Sequence, residues 1–359
     1  MSNVGILGIG LHLPPRVRKN DWWPAATVAS WEEKNVRIKQ KMMTELATTE
    51  SEGHRKSLEA WIDELDDPFR HSIERRILGD DRVPSDMETE AARQAIDKAG
   101  LKLSDVDGLL VHSFVPDLIS TNNACTVHHK LGLSEDCFTM SVEAACNSFL
   151  MPLTMAQAMI QSGQARYVVV VQSTALSRVL PYEESYSVLF GDGAAAVVLG
   201  PVANGYGILS HSHRTDGSMQ GTLVIGVRGK RWYDEGPTCV FTENHPAAHR
   251  MFTVVPELQH IVACDALEKA HLKKSNIDFL ACHQGTAWLR TVTQSILGIE
   301  HARTLDTFQL TGSLIGANCP FVMGIAEQEG KLKAGDAVLV SSGGSGITYS
   351  AMVIRWGVA

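Results

Sequence analysis

Residues 91–113 and 262–284 carry the same pattern at an offset of 171, with ten of the 23 paired positions identical. The shared residues include Leu101/Leu272, Ser104/Ser275, Asp107/Asp278, Leu109/Leu280 and His112/His283. Each copy reads as an amphipathic helix, a polar turn and a short buried strand. A match of that length marks a duplication, which constrains the chain to two equivalent halves. The remaining apolar runs fit that plan. They fall at 4–10, 109–111, 167–171 and 194–199 in the first half, and at 205–210, 279–282, 337–341 and 350–356 in the second. Continuous β-branched runs separated by helices indicate strands buried on both faces of a layered α/β sheet. Turn residues cluster at 200–205. We therefore divide the chain into halves 1–200 and 201–359, with two sheets sandwiching central helices.

One stretch breaks the rhythm. Residues 28–75 are charge-rich (Glu32-Glu33-Lys34, then 63–67) and read as helical, with Pro68 as a stop. Such an insertion is either a solvated helical excursion or a cap over the mouth of a site.

Composition excludes several classes. No apolar run approaches the roughly 20 residues needed to cross a bilayer, and the Met1 end lacks a basic region of the kind that opens a signal peptide. Seven cysteines without regular spacing form neither a disulfide framework nor a zinc signature, so the expectation is a reducing cytoplasm. The pair His128-His129 lacks ligand-spaced neighbours and reads as helix surface. A formal charge of -8 argues against nucleic acid as partner.

Cys146 stands between an expected strand at 137–142 and a helix reaching about Gln161, with Gly163 as a stop. That helix carries Phe149, Leu150, Leu153, Met155, Ala156, Met159 and Ile160 and is expected to be buried on nearly all sides. A cysteine at a helix N-terminus feels the positive dipole end, which favours thiolate; the alternative is a small buried hydrophobe. Phe190-Gly191-Asp192-Gly193 reads as a tight turn tied by Asp192. His283 ends a buried strand, where an α/β sheet places ligands. The loop from Ser341 to Ile347 is glycine-rich, so its N–H groups can line a site, but it lacks a P-loop lysine.

Together these segments resemble the thiolase superfamily, and most closely β-ketoacyl-acyl-carrier-protein synthase III. The matching blocks are 141–149 (SVEAACNSF), 189–199 (LFGDGAAAVVL), 278–286 (DFLACHQGT), 312–320 and 337–356. The resemblance implies a five-layer αβαβα fold built from two duplicated halves. It implies an acyl-enzyme on Cys146, with His283 as second catalytic residue and the backbone N–H groups of Cys146 and Ser345 as oxyanion hole. It further implies a homodimer using acyl-CoA or acyl-carrier-protein thioesters as substrates; no cofactor or metal motif appears in the sequence, so none is expected.

Departures from the family pattern matter as much. Ser313 occupies the position of the family's catalytic asparagine, and Asn318, five residues on, is expected inside the next helix and not as its substitute. The helix at 288–296 keeps Arg290 as its sole cation for docking an acidic carrier; Arg228, Lys230 and Arg231 form either a second basic patch or a solvated turn. Ser120, in the segment 117–122, stands where the family often has a bulky aromatic. Ser120, Glu143, Phe149, Gly344 and Gly346 are expected around the acyl pocket, although Glu143 could instead point away and cap a helix. The expected activity is condensation of the acyl-enzyme with a second acyl thioester in polyketide or other secondary metabolism. The alternatives are acyl transfer without decarboxylation to a hydroxyl or amine, thioester hydrolysis, or a non-catalytic subunit.

Overall fold

The computed structural model describes residues 3–358. The first half opens with strand β1 (Asn3–His12) and a short hairpin, β2 (Arg16–Lys19) with β3 (Glu74–Ile77). Between the hairpin strands lie helices α1 (Ala25–Leu46) and α2 (Glu52–Glu64). Next come α3 (Pro84–Lys98), β4 (Gly108–Ser113), α4 (Ala124–Leu131), β5 (Phe138–Ser141), α5 (Leu150–Gln161), β6 (Val168–Thr174) and β7 (Gly193–Val202). The second half runs through β8 (Gly207–Thr215), the hairpin β9 (Val224–Val227) and β10 (Thr238–Phe241), α6 (His245–Lys269) and β11 (Phe279–Cys282). It finishes with α7 (Leu289–Leu297), α8 (Phe308–Thr311), α9 (Asn318–Gln328), β12 (Ala337–Gly344) and β13 (Thr348–Arg355). Among the described residues no helix is long and apolar enough to cross a membrane.

The duplication is visible in the topology. One sheet has the order β1-β7-β6-β4-β5 and the other β8-β13-β12-β11. In both, the first two pairings are antiparallel and the third is parallel. The counterpart of β5 shrinks to a single parallel bridge between Phe279 and Arg303. Even the turns repeat: Gly100 has φ +69° and its counterpart His271 φ +54°, so the second copy adopts a left-handed conformation without glycine.

Each buried strand divides its side chains by parity. In β4 and β6, Leu110, Val168 and Val170 face a central core with α5 and α9, while Leu109, Val111, Val169 and Val171 face α3 and α4. The second sheet does the same, with Val338 and Val340 inward and Ala337 and Leu339 toward α6 and α7. The layers are thus α3/α4, sheet, α5/α9, sheet, α6/α7, a five-layer αβαβα fold. α5 is less enclosed than its composition predicts, since Met155 is exposed.

Close approach of α3 to β1 depends on glycines. A Cβ on Gly10 would lie 1.9 Å from the Ala91 carbonyl oxygen, and one on Gly8 2.4 Å from that of Ala95. Gly10→Ala should therefore destabilise the fold by about 1–3 kcal/mol or more through overpacking. Urea unfolding tests this; an unchanged midpoint would mean that the helix shifts freely.

Candidate active site

Cys146 lies in a tight 3-10 turn (Ala145–Asn147) after β5, and regular helix begins only at Leu150. Ala145, just before it, has φ +48°, a conformation costly for a residue with a side chain. The turn is fixed from the opposite half. Ser342 Oγ donates to the Cys146 carbonyl (2.8 Å), and Asn147 Nδ2 donates to Ser350 Oγ (2.7 Å). The Cys146 and Ser345 backbone N–H groups both address the thiol sulfur.

His283 follows the buried strand β11, its own N–H donating to the Ser341 carbonyl (2.9 Å). Cys146, His283, Ser313, Gly343 and Ser345 line one cavity of about 520 Å3. Burial pushes His283 down to about 4, against the opposing pull of the Ile315 backbone and the Asn318 side chain. Burial and the nearby Glu143 push the Cys146 thiol up to about 12. The resting pair is thus neutral thiol and neutral imidazole. This corrects the thiolate expectation: the dipole of α5 acts over its own first turn, and Cys146 lies outside it.

The Ser313 corner also differs from expectation. Asn318 does head α9, but its side chain turns back: Oδ1 accepts from Ser313 Oγ and from the Leu314 N–H, both at 3.2 Å. Its side chain approaches His283, and both Asn318 Nδ2 and His283 Nδ1 are buried without a hydrogen-bond partner. Asn318 stands behind Ser313, outside the cavity wall.

The family model for 3-oxoacyl-[acyl-carrier-protein] synthase III matches residues 140–217, and the model for its C-terminal part matches 267–356. A β-ketoacyl-[acyl-carrier-protein] synthase III from Clostridium perfringens is 28% identical over 357 residues, covering 99% of this chain and all of the relative. The chain belongs to the thiolase superfamily as a β-ketoacyl synthase III-like member. Among solved structures, the Thermus thermophilus synthase III superposes with a TM-score of 0.79 at 26% identity, covering 99% of this chain and 100% of that one. The priming β-ketosynthase of the R1128 polyketide pathway reaches 0.80 at 23% identity, covering 98% and 96%.

Several expected pocket residues of this synthase III-like chain do not line the cavity. Ser120 is exposed on the 117–122 loop, and Phe149 is fully buried in the central core. Glu143 caps the nucleophile turn: Oε1 accepts from the Ala145 N–H (2.6 Å) and Oε2 lies 3.2 Å from His112 Nε2. Burial opposes ionisation there, but His112 and the Ala145 N–H together hold its carboxyl below the usual range. Gly344 packs beneath Cys146, and Gly346 has φ +111° in the turn after Ser345. Asp192 ties its turn as read, accepting from the Leu78 N–H (2.7 Å) and from Ser177.

The insertion is a cap. Ile38, Trp61, Glu64, Leu65 and Arg70 line the cavity. Glu45 of α1 binds His54 and, across to α6, His249, both at 2.8 Å. Lys56 donates to Ser295 of α7 (2.9 Å). Sequence reading missed these residues because a run of charges looks the same on a solvated helix and on a lid. Arg290 is paired with Asp306 at 2.5 Å and so presents little free charge, whereas Arg228 lies in the cavity wall. Lys230 and Arg231 lie on an exposed turn.

A raised thiol gives a checkable pH dependence. Alkylation of Cys146 by iodoacetamide should be slow at pH 7 and rise about tenfold per pH unit beyond pH 9, because only the thiolate reacts. A plateau below pH 8 would contradict the neutral pair.

Proposed function

We propose that this protein is an acyltransferase that loads an acyl group from a CoA or carrier-protein thioester onto Cys146 and passes it to a second substrate. The observation that carries this reading is the convergence of the Cys146 thiol, His283 and two backbone N–H groups at one cavity. His283, neutral at physiological pH, takes the thiol proton as sulfur attacks the donor carbonyl. The Cys146 and Ser345 N–H groups receive the charge developing on oxygen. His283 then returns the proton to the departing thiolate of the donor.

The acceptor step has two readings. Kinship with enzymes named β-ketoacyl synthases supports condensation with a second acyl thioester. The Ser313 geometry favours transfer without decarboxylation. The single Ser313 hydroxyl proton is given to Asn318 Oδ1, so it is not aimed at an enolate oxygen in the cavity. We place the enzyme in polyketide or other secondary metabolism, because Ser313 and the cap both depart from a fatty-acid initiation enzyme. A homodimer belongs to the same proposal, supported by exposed Leu118, Ile119 and Phe138 near the edge strand β5.

Intact-protein mass spectrometry with a panel of acyl-CoAs, malonyl-CoA included, tests the reading. Native protein should gain an acyl adduct that Cys146→Ala lacks, and His283→Ala should load about 10²–10⁴ times more slowly. Malonyl-CoA decarboxylation should be weak and should rise about 10²-fold in Ser313→Asn as a donor is restored. Absence of any adduct would reject the acyl-enzyme, and brisk native decarboxylation would favour condensation.

A further inference from the structure

The cap brings a carboxyl into the wall of the reaction cavity. Glu64 ends α2 and is only 2% exposed, yet it lines the same cavity as Cys146 and His283. Its Oε1 accepts from the Ala287 N–H (3.3 Å), in the loop that follows His283, and the Trp288 indole N–H approaches the same carboxyl. Arg70, also in the cavity wall, does not form a close ion pair with it. The Arg70 guanidinium instead donates to Asn35 Oδ1 (2.7 Å), and its other terminal nitrogen is buried without a partner. A buried carboxyl without a close counter-ion costs stability that an apolar cap residue would avoid. The loading step described above makes no use of it.

We propose that Glu64 is the acid–base residue of the second half-reaction, accepting the proton of a hydroxyl or weakly basic amine acceptor as that acceptor attacks the acyl thioester on Cys146. The proposal rests on the acyl-enzyme reading and names the acceptor class for it. The acceptor oxygen or nitrogen bonds to the acyl carbon, the carbon–sulfur bond breaks, and its electron pair stays on Cys146. The acceptor proton moves to Glu64 and then returns to the thiolate, which regenerates both groups. The groups around Glu64 suit this task. Burial raises it to about 7, outweighing Arg70, Ala287 and Trp288, with Asp67 adding a small push upward. From α6, His245 and His249 face the cavity, and His249 is engaged by Glu45 of α1. His283, near 4, stays neutral over the range in which Glu64 titrates. A base poised near the working pH is the efficient choice for such a proton transfer.

The test separates the two half-reactions. Enzyme is loaded with octanoyl-CoA, and adduct loss is followed by intact mass after addition of n-butanol or methoxyamine, a nitrogen nucleophile uncharged at neutral pH. Native acyl-enzyme should discharge faster with either acceptor than in buffer, with a rate rising from about pH 6 to 8 as the carboxylate forms. Glu64→Gln keeps an acceptor for the Ala287 N–H. It should load at the native rate, transfer at least about 10²-fold more slowly and lose the pH rise. Glu64→Asp should load normally and keep the pH rise at a reduced rate. The proposal fails if Glu64→Gln transfers within a few-fold of native with the same pH profile, if Glu64→Asp loads but shows no rise, or if neither acceptor speeds discharge. A native protein that never gains an adduct rejects the acyl-enzyme itself, a different result from any of these.

Discussion

The contact between Gly344 and the nucleophile turn underlies the rest of the site. A Cβ at Gly344 would lie 2.5 Å from the Ala144 carbonyl oxygen and 3.1 Å from the Cys146 nitrogen. Only a bare backbone lets the end of β12 come that close. The same approach delivers Ser342 to the Cys146 carbonyl and the Ser345 N–H to its sulfur. Cys146 and Ser345 thus come from opposite halves of a duplicated chain and meet at one cavity. Neither half holds the site alone.

Burial then decides the protonation states. In a polar, open cleft a cysteine and a histidine could share a proton as an ion pair. Here desolvation pushes the thiol up and the imidazole down, so both rest uncharged. In the acyl-enzyme proposed above, the Cys146 and Ser345 N–H groups are in place before charge develops, the condition under which such donors contribute most. At the cavity wall stands Ser313, its hydroxyl held from behind by Asn318 Oδ1.

The fold was largely legible in the sequence because a buried strand and its flanking helix leave strong local patterns. The pair 91–113 and 262–284 became α3–β4 and α6–β11, down to matched polar turns at 103–105 and 274–276. The glycine-rich blocks marked the places where backbones approach closely. Cys146 and His283 were legible as candidates because their residue types are reactive in themselves, and the structure brings both to one cavity. Pocket residues were not, because a wall is assembled from distant loops. Ser120 and Phe149 were expected there from position along the chain, yet one faces solvent and the other lies in the core.

The sequence by itself determined the duplicated layers and singled out Cys146 and His283 as candidates, since hydrophobic period and reactive residue type are local properties. Only the tertiary structure decided that the charged insertion is a cap and that Glu64, within its run of acids, is buried against the Ala287 loop. It also decided that Asn318 turns back toward His283 and that the thiol rests protonated. Each of these depends on which surfaces lose water when remote segments pack together, and no local pattern encodes that.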